Sequence, residues 1–156
     1  MKKDEKRGRK AVLDGKERTN EKDAGRMNPV TLAFLGDAVY SLWVRERLVR
    51  YASGKSGDFQ RAASKVESAK GQSGYLEKIL PLLTERETEI YHRGRNAKKA
   101  TKSKNADAVE YCRSTGLEAV IGYLYLVGEH ERIDELLSVI DEENLQGLAA
   151  PVAYKP

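Results

Sequence analysis

The sequence predicts an all-α protein, and three features of the chain carry that prediction. Leu, Ala, Glu, Lys and Arg recur at helical spacing over most of the 156 residues. The chain contains only four prolines, so few positions interrupt a helical pattern. The strict alternation of apolar and polar residues that is typical of strands is hard to find. The length matches one domain with enough chain to bury a hydrophobic core.

The first 26 residues differ from the rest of the chain in composition. They hold ten Lys and Arg and six Asp and Glu with few large apolar side chains, whereas the other 130 residues hold 18 of each sign. A charged segment of this kind has too little apolar surface to support a fold. We therefore expect a disordered or loosely helical tail at 1–26 and a helical domain at 27–144. The Gly, Ala and Pro that follow predict a C-terminal tail at 145–156.

Cysteine content and hydropathy restrict the class of protein further. The single Cys112 excludes an internal disulfide framework and a Cys-rich zinc site, and it suits the reducing cytoplasm. The longest apolar runs, such as 119–127, are too short to span a bilayer. The basic N-terminus lacks the apolar segment of a secretory signal. We therefore expect a cytoplasmic protein with no membrane partner.

Capping residues predict where the first helices begin and end. Asn28 is a favourable N-cap and Pro29 suits the first helical position, so a helix is expected from 29 to about 51, where Ala-Ser-Gly-Lys-Ser-Gly follows. A second helix is expected at 59–72 after a cap at Asp58. The glycines within 71–74 allow a bend before a third apolar segment that ends near Pro81.

Three further helices are expected in the second half of the chain. Thr84 followed by Glu87 forms a capping-box pattern that opens a helix over 84–95. The helical pattern resumes at about 105 and continues to Val127, before Gly128. The last amphipathic helix is expected over 131–144. Its apolar face comprises Ile133, Leu136, Leu137 and Ile140.

The segment 32–40, LAFLGDAVY, places one carboxylate, Asp37, beside Gly36 in an apolar helical pattern. Polar residues are scarce on this helix before Arg45, so we expect it to be buried nearly all round. A buried carboxylate needs an ion pair, hydrogen bonds or a metal ion. An Asp37 satisfied by a neighbouring Arg or by a helix N-terminus is the structural alternative, which this segment alone leaves open.

The segment 116–126, GLEAVIGYLYL, has the same design, with Glu118 in an apolar helix and Gly122 one turn later. Small residues beside the acids allow two helices to approach closely, so the two carboxylates can lie side by side. Adjacent carboxylates repel each other unless a cation lies between them, and oxygen ligands favour Mg²⁺ or Mn²⁺. Such a pair suits metal-assisted hydrolysis of a phosphodiester.

A basic segment without acids lies at 92–104 and indicates a surface that binds phosphates. A solvated loop with no ligand is the alternative for such a charge cluster. The residues of this segment that we expect to contact phosphates are Arg93, Arg95, Lys98, Lys99, Lys102 and Lys104.

Four segments together resemble one enzyme family. LAFLGDAVY at 32–40 resembles the signature helix of ribonuclease III, and STGLEAVIGYLYLVG at 114–128 resembles its second acidic helix. HRGRNAK at 92–98 and VESAKGQ at 66–72 resemble the short Mini-ribonuclease III branch. That branch lacks a double-stranded-RNA-binding domain, and none is expected here, because the similarity covers roughly 27–144 and little chain follows.

The resemblance implies a ribonuclease III-like endonuclease fold, a two-fold homodimer and one Mg²⁺-dependent site in each protomer. It implies cleavage of double-stranded RNA that leaves 5′-phosphates, with the precursor of large-subunit (23S) ribosomal RNA as the substrate of this branch. Matched by position, Asp37 and Glu118 are the expected catalytic residues and metal ligands, and Mn²⁺ is a possible substitute for Mg²⁺. Without a separate RNA-binding domain, the catalytic domain must hold the RNA duplex itself, by contacts to the phosphates and 2′-hydroxyls of the RNA. The basic residues at 92–104 are the ones expected to contact this RNA backbone.

The chain departs from full-length ribonuclease III at three positions. That enzyme has acids where this chain has Val30, Ala33 and Thr115. Because these acids are missing, the number of metal ions per site stays open. The Mini-ribonuclease III branch shares the reduced set, so the departures place the chain in that branch. The missing acids favour an alternative, a non-catalytic RNA-binding protein that associates with the ribosome and keeps the fold. A helical interaction protein with structural acids is a third possibility.

Overall fold

The computed structural model describes residues 17–52, 54–97 and 106–140, and the elements within these ranges are helical. The predicted all-α class is therefore confirmed. The helices are α1 (Glu21–Arg26), α2 (Pro29–Tyr51), α3 (Ser56–Glu67), α4 (Ala69–Ile79), α5 (Glu85–Ala97), α6 (Ala106–Val127) and α7 (His130–Ile140), with a 3₁₀ turn at Leu80–Leu82 after α4.

Helix α6 is the centre of the described fold. It packs against α1, α2, α4, α5 and α7, and its contact with α2 is the most extensive between any two of these helices. Its buried apolar residues are Leu117, Ala119, Val120, Ile121, Tyr123 and Leu124. Although α6 is long and apolar, neither it nor any other helix in the described ranges has the length and hydropathy needed to cross a membrane.

The predicted bounds of α2 are confirmed, and its start has a clear physical cause. The Asn28 side-chain oxygen accepts a hydrogen bond from the backbone N–H of Val30 at 2.8 Å, and Pro29 occupies the first helical position. These two residues satisfy one N-terminal donor of the helix and remove another. Helix α2 therefore begins where the sequence indicates.

The expected continuous helix at 59–72 was wrong, because Ser68 separates α3 from α4. The Ser68 side chain caps α4 by accepting a hydrogen bond from the N–H of Gly71 at 3.1 Å. Serine competes with helical backbone bonding in this way, and its extended backbone ends α3 at Glu67. Asp58 lies inside α3 rather than before it, and it accepts a hydrogen bond from the N–H of Lys55 at 2.9 Å.

The capping box at the start of α5 is confirmed. The N–H of Thr84 donates to Glu87 Oε1 at 2.9 Å, and the N–H of Glu87 donates to Thr84 Oγ1 at 3.2 Å. Glu87 also connects α5 to α7, because Arg132 Nη2 donates to Glu87 Oε1 at 2.9 Å. The same nitrogen donates to the Leu82 carbonyl oxygen at 2.6 Å, so Arg132 ties together three segments of the chain.

The turn from α6 to α7 also follows the prediction. Gly128 has a φ of +83°, a left-handed conformation that glycine adopts without strain, and α7 begins two residues later. The predicted apolar face of α7 is confirmed, since all four of its residues are buried, namely Ile133, Leu136, Leu137 and Ile140. The expected C-terminal tail at 145–156 lies outside the described residues.

Part of the segment that was expected to be a tail is packed onto the helical body. Helix α1 lies within it, and Ala24 of this helix is fully buried. The N–H of Thr19 donates to the Leu126 carbonyl oxygen at 2.8 Å, which joins this segment to the end of α6. The packed part of the chain therefore begins before residue 27.

The expectation that α2 is buried nearly all round was wrong for a single chain. Its inner face is buried, but Phe34 is 84% exposed and Val49 is 71% exposed. Ala38 and Leu42 are also exposed and lie along the same outer side of the helix. No helix in the described part of the chain covers these four residues, which we call the outer face of α2.

Candidate active site

Helices α2 and α6 cross with their backbones in contact at two glycines. A Cβ atom at Gly36 would overlap the carbonyl oxygen of Glu118, and a Cβ atom at Gly122 would overlap that of Leu32. Only glycine fits at either position, so the expectation that small residues allow a close approach is confirmed. Asp37 follows Gly36, and the carbonyl oxygen that Gly36 contacts belongs to Glu118. The crossing therefore brings the two acidic residues close together.

Both predicted acids line one cleft, which has a volume of about 350 Å³. Asp37 is exposed, whereas Glu118 is half-buried, so the two carboxylates lie at different depths. The cleft is lined by Val30, Ala33, Phe34, Asp37, Glu67, Ala69, Gln72, Tyr111, Ser114, Thr115 and Glu118.

Gln72 is a residue of this cleft that the sequence analysis did not single out. Its side chain is 1% exposed, and its Nε2 atom donates to Glu118 Oε1 at 2.9 Å. The same nitrogen donates to the backbone carbonyl oxygen of Glu67 at 3.0 Å. One signal was available, because the periodicity of α4 places Gln72 on the same face as Leu76 and Ile79. A polar residue on an apolar face is informative.

Glu67 is a third acid at the cleft that the sequence analysis missed. Its carboxylate oxygen lies 3.8 Å from Arg45 Nε, at the outer limit of an ion pair. Across the described ranges, no group of three or more His, Cys, Asp or Glu residues could hold a metal ion by itself. The pair of Asp37 and Glu118 nevertheless fits Mg²⁺, because this ion uses one or two carboxylates and completes its shell with water and substrate phosphates.

The structural alternative for Asp37 was satisfaction by a neighbouring Arg or by a helix N-terminus, and the ion pairs test the first of these. Within the described part of the chain, no Arg or Lys forms an ion pair with Asp37. By contrast, Glu87 is enclosed by Arg132 in the manner expected of a structural acid. Asp37 therefore differs from the structural acid of the same fold in both exposure and partners.

The three positions that carry acids in full-length ribonuclease III form non-acidic walls of the cleft. Val30 and Ala33 contribute apolar surface. Thr115 is buried, and its hydroxyl donates to the Tyr111 carbonyl oxygen at 3.0 Å, as threonine often does inside a helix. The cleft therefore lacks the acidic side chains that full-length ribonuclease III has at these three positions.

The predicted RNA-binding residues are only partly within the described ranges. Arg93 donates to the Gly25 carbonyl oxygen at 2.6 Å and to that of Met27 at 3.2 Å, so its guanidinium holds the end of α1. The Arg95 guanidinium lies 5.9 Å from the centre of the Tyr91 ring. Four of the residues lie outside the described ranges, namely Lys98, Lys99, Lys102 and Lys104.

Comparison with known proteins identifies the fold and the family. The profile of the Ribonuclease III domain matches residues 30–129, a range that contains both acids of the cleft. The chain belongs to the ribonuclease III family. Mini-ribonuclease 3 of Symbiobacterium thermophilum is 47% identical over 109 residues, which cover 70% of this chain and 84% of that protein. Mini-ribonuclease 3 of Brevibacillus brevis is 45% identical over 116 residues, which cover 74% of this chain and 87% of that protein.

A solved structure supports the same assignment. The crystal structure of a protein from Fusobacterium nucleatum aligns with a TM-score of 0.66 and 29% identity, covering 75% of this chain and 93% of that chain. The resemblance to the Mini-ribonuclease III branch is confirmed by the two relatives of that name. As a member of the ribonuclease III family, the chain is an endoribonuclease.

Proposed function

We propose that the chain is a Mg²⁺-dependent endoribonuclease that hydrolyses double-stranded RNA, with Asp37 and Glu118 as catalytic residues and metal ligands. The observation that carries this proposal is the crossing of α2 and α6 at Gly36 and Gly122, which brings both carboxylates to one cleft. Mn²⁺ is the expected substitute for Mg²⁺, because both ions prefer oxygen ligands.

Both carboxylates take part in this mechanism. When bound in the cleft, a divalent cation would polarise the scissile phosphodiester and lower the pKa of the attacking water. Asp37, which is exposed, and Glu118, which is half-buried and accepts a hydrogen bond from Gln72, are the residues that would hold this cation. Cleavage on the side of the bond that leaves a 5′-phosphate is the outcome expected of this family.

The basic segment at 92–104 holds the duplex. Arg95 has a guanidinium at the end of α5, and the four lysines that follow it in sequence add a local excess of positive charge. Such side chains bind phosphate oxygens, which dominate the recognition of double-stranded RNA. Arg93 is assigned to packing instead, because its guanidinium is engaged with the carbonyl oxygens of Gly25 and Met27.

The outer face of α2 is proposed as the contact between two copies of the chain. Burial of an exposed Phe side chain such as that of Phe34 is favourable by about 1.5–3 kcal/mol, which favours a contact that covers it. A two-fold copy that packs its own α2 against this face would bury the same residues on both protomers. Phe34 also lines the cleft, so the contact would form part of its wall. Two sites related by such a symmetry axis can each cut one strand of a duplex.

The expected substrate is the precursor of large-subunit (23S) ribosomal RNA, and the expected location is the cytoplasm. The similarity to Mini-ribonuclease 3 proteins at 45–47% identity supports this assignment. The competing function is a non-catalytic RNA-binding protein that associates with the ribosome. Ala33 and Thr115 favour it, because they replace acids of the full-length enzyme.

Cleavage of a defined duplex separates the two functions. The full chain is incubated with a duplex RNA and with each of its single strands, in Mg²⁺ and in EDTA. The proposed enzyme cuts the duplex only, requires Mg²⁺, and leaves ends that a 5′-phosphate-dependent exonuclease degrades. Binding of the duplex without any cleavage in Mg²⁺ or Mn²⁺ would support the non-catalytic protein and contradict the proposal.

A further inference from the structure

The Gln72 amide occupies an unusual position for a polar side chain. It is 1% exposed and belongs to the face of α4 that buries Tyr75, Leu76 and Ile79. Transfer of an amide from water to such an environment is unfavourable unless hydrogen bonds compensate. An apolar residue of similar volume would pack on this face without that requirement.

The hydrogen bonds of Gln72 determine which way its amide points. Its two neighbours are the Glu67 backbone carbonyl oxygen at 3.0 Å and Glu118 Oε1 at 2.9 Å. A carbonyl oxygen and a carboxylate can only accept, so the amide nitrogen must face both of them. The Glu67 carbonyl belongs to the last turn of α3 and accepts one of the two hydrogen bonds of the amide nitrogen. One amide group thus connects α3 and α4 to the acid on α6.

This orientation leaves the other end of the amide unsatisfied. Gln72 Oε1 is buried and has no hydrogen-bond partner among the residues that the structure describes. A buried acceptor without a partner lowers the stability of the fold, and a nonpolar group of the same shape would avoid that loss. The amide therefore stabilises the fold poorly at this position. Its remaining distinctive contact is the one with Glu118.

We propose that Gln72 is a positioning residue that holds the Glu118 carboxylate in one orientation within the cleft it shares with Asp37. A carboxylate that is fixed before the cation binds loses less rotamer freedom on binding. Outer partners of metal ligands act in this way in other metal sites. The inference rests on the proposed function, because it assigns Gln72 a role at that metal site.

The Gln72→Met substitution tests this role, because Met has a similar length and volume but no amide. Binding of Mn²⁺ to the full chain without RNA is measured by electron paramagnetic resonance of the free ion. We expect the Mn²⁺ dissociation constant to rise about 10- to 100-fold, the usual effect of losing such a partner. The kcat for a duplex RNA should fall while KM stays unchanged, since a buried side chain does not contact the duplex. The melting temperature in EDTA should be equal or higher.

The matched control is Gln60→Met, which makes the same chemical change at an exposed position of α3. It should leave the Mn²⁺ dissociation constant and kcat within twofold of the original values. A Gln72→Met protein that also stays within twofold would overturn the inference. If Glu118→Gln likewise keeps full Mn²⁺ affinity and cleavage, the proposed function fails instead. The two failures are therefore distinguishable.

A second measurement keeps the inference testable if Gln72→Met does not fold. In the unsubstituted chain without metal, the Gln72 side-chain amide protons should exchange slowly with solvent, because the amide is buried and donates two hydrogen bonds. Addition of Mg²⁺ should shift their resonances in the original chain and not in Glu118→Gln. Rapid exchange together with resonances that do not respond to Mg²⁺ would overturn the inference.

Discussion

Two acids of the described helices, Glu87 and Glu118, are held in different ways. Glu87 is paired with the Arg132 guanidinium and accepts a backbone hydrogen bond from Thr84. Glu118 accepts a neutral amide hydrogen bond from Gln72 and lines an open cleft. A full positive charge beside Glu87 satisfies that carboxylate within the fold, which marks it as structural. Glu118, by contrast, lines a cleft that a cation can enter.

Sequence patterns could identify the two acids but not their immediate partners. Asp37 and Glu118 are visible because each interrupts an apolar helical segment beside a glycine. Gln72 has a weaker signal, a polar side chain on the apolar face of α4, but its contact with Glu118 and the place of Glu67 at the cleft involve the break between α3 and α4. That break depends on whether the Ser68 side chain caps the next helix, a local competition that periodicity does not resolve.

Glu87→Gln should lower the free energy of unfolding at pH 7 by about 2 kcal/mol, since a hydrogen-bonded charge is lost. Burial raises the pKa of Glu87, but hydrogen bonds from Arg132 and Thr84 outweigh it and lower the pKa below the ordinary value of 4.5. The stabilisation is therefore present above about pH 4.5 and disappears as the pH falls through the folded-state pKa. Urea denaturation from pH 7 to pH 3 measures this effect. A difference between the two proteins that did not change with pH would contradict the assignment.

The helices show which structural features the sequence determines locally. The start of α2, the capping box of α5 and the apolar face of α7 depend on residues a few positions apart, and all three agree with prediction. The burial of the outer face of α2 depends on what covers it. An apolar stripe predicts that a face is to be covered, but it does not say whether the same chain or another supplies the cover.

Gly36→Ala should destabilise the protein, because its Cβ atom would overlap the Glu118 carbonyl oxygen and force α2 away from α6. Overpacking of this kind costs about 1–3 kcal/mol, and more when a backbone must move. Chemical denaturation measures the loss. Gly74→Ala is the matched control, since a Cβ at Gly74 meets no atom within 4 Å. It should stabilise α4 by about 0.5–1 kcal/mol. Equal effects of the two substitutions would contradict the proposed crossing.

At the scale of the whole molecule, the cleft and the outer face of α2 belong to one surface. Phe34 contributes to both, so the proposed association of two chains would be coupled to the shape of the cleft through a single side chain. The basic segment at 92–104 supplies six of the 18 Lys and Arg that balance the 18 Asp and Glu of residues 27–156, so the rest of that range is acidic. We infer that the unit that binds a duplex is the dimer, with one cleft for each strand.

Phe34→Glu should prevent the chains from associating, because a charged carboxylate would replace the large apolar side chain of the proposed contact. Folding of the single chain should be little affected, since Phe34 is exposed and supports no core residue. Sedimentation equilibrium should give the mass of two chains for the original protein and of one chain for the variant. The control is Leu82→Glu, a similarly exposed apolar position in the turn after α4, which should stay dimeric. A dimeric Phe34→Glu protein would place the contact elsewhere.

The central claim is that Asp37 and Glu118 act together in hydrolysis, and single-turnover cleavage of a short RNA duplex in Mg²⁺ tests it most directly. Asp37→Asn and Glu118→Gln should each slow cleavage by more than about 100-fold, beyond the upper effect of an outer partner of a metal ligand. Their melting temperatures should stay near that of the original chain, because Asp37 is exposed and Glu118→Gln keeps the size of the side chain. Full cleavage by either variant would contradict the account.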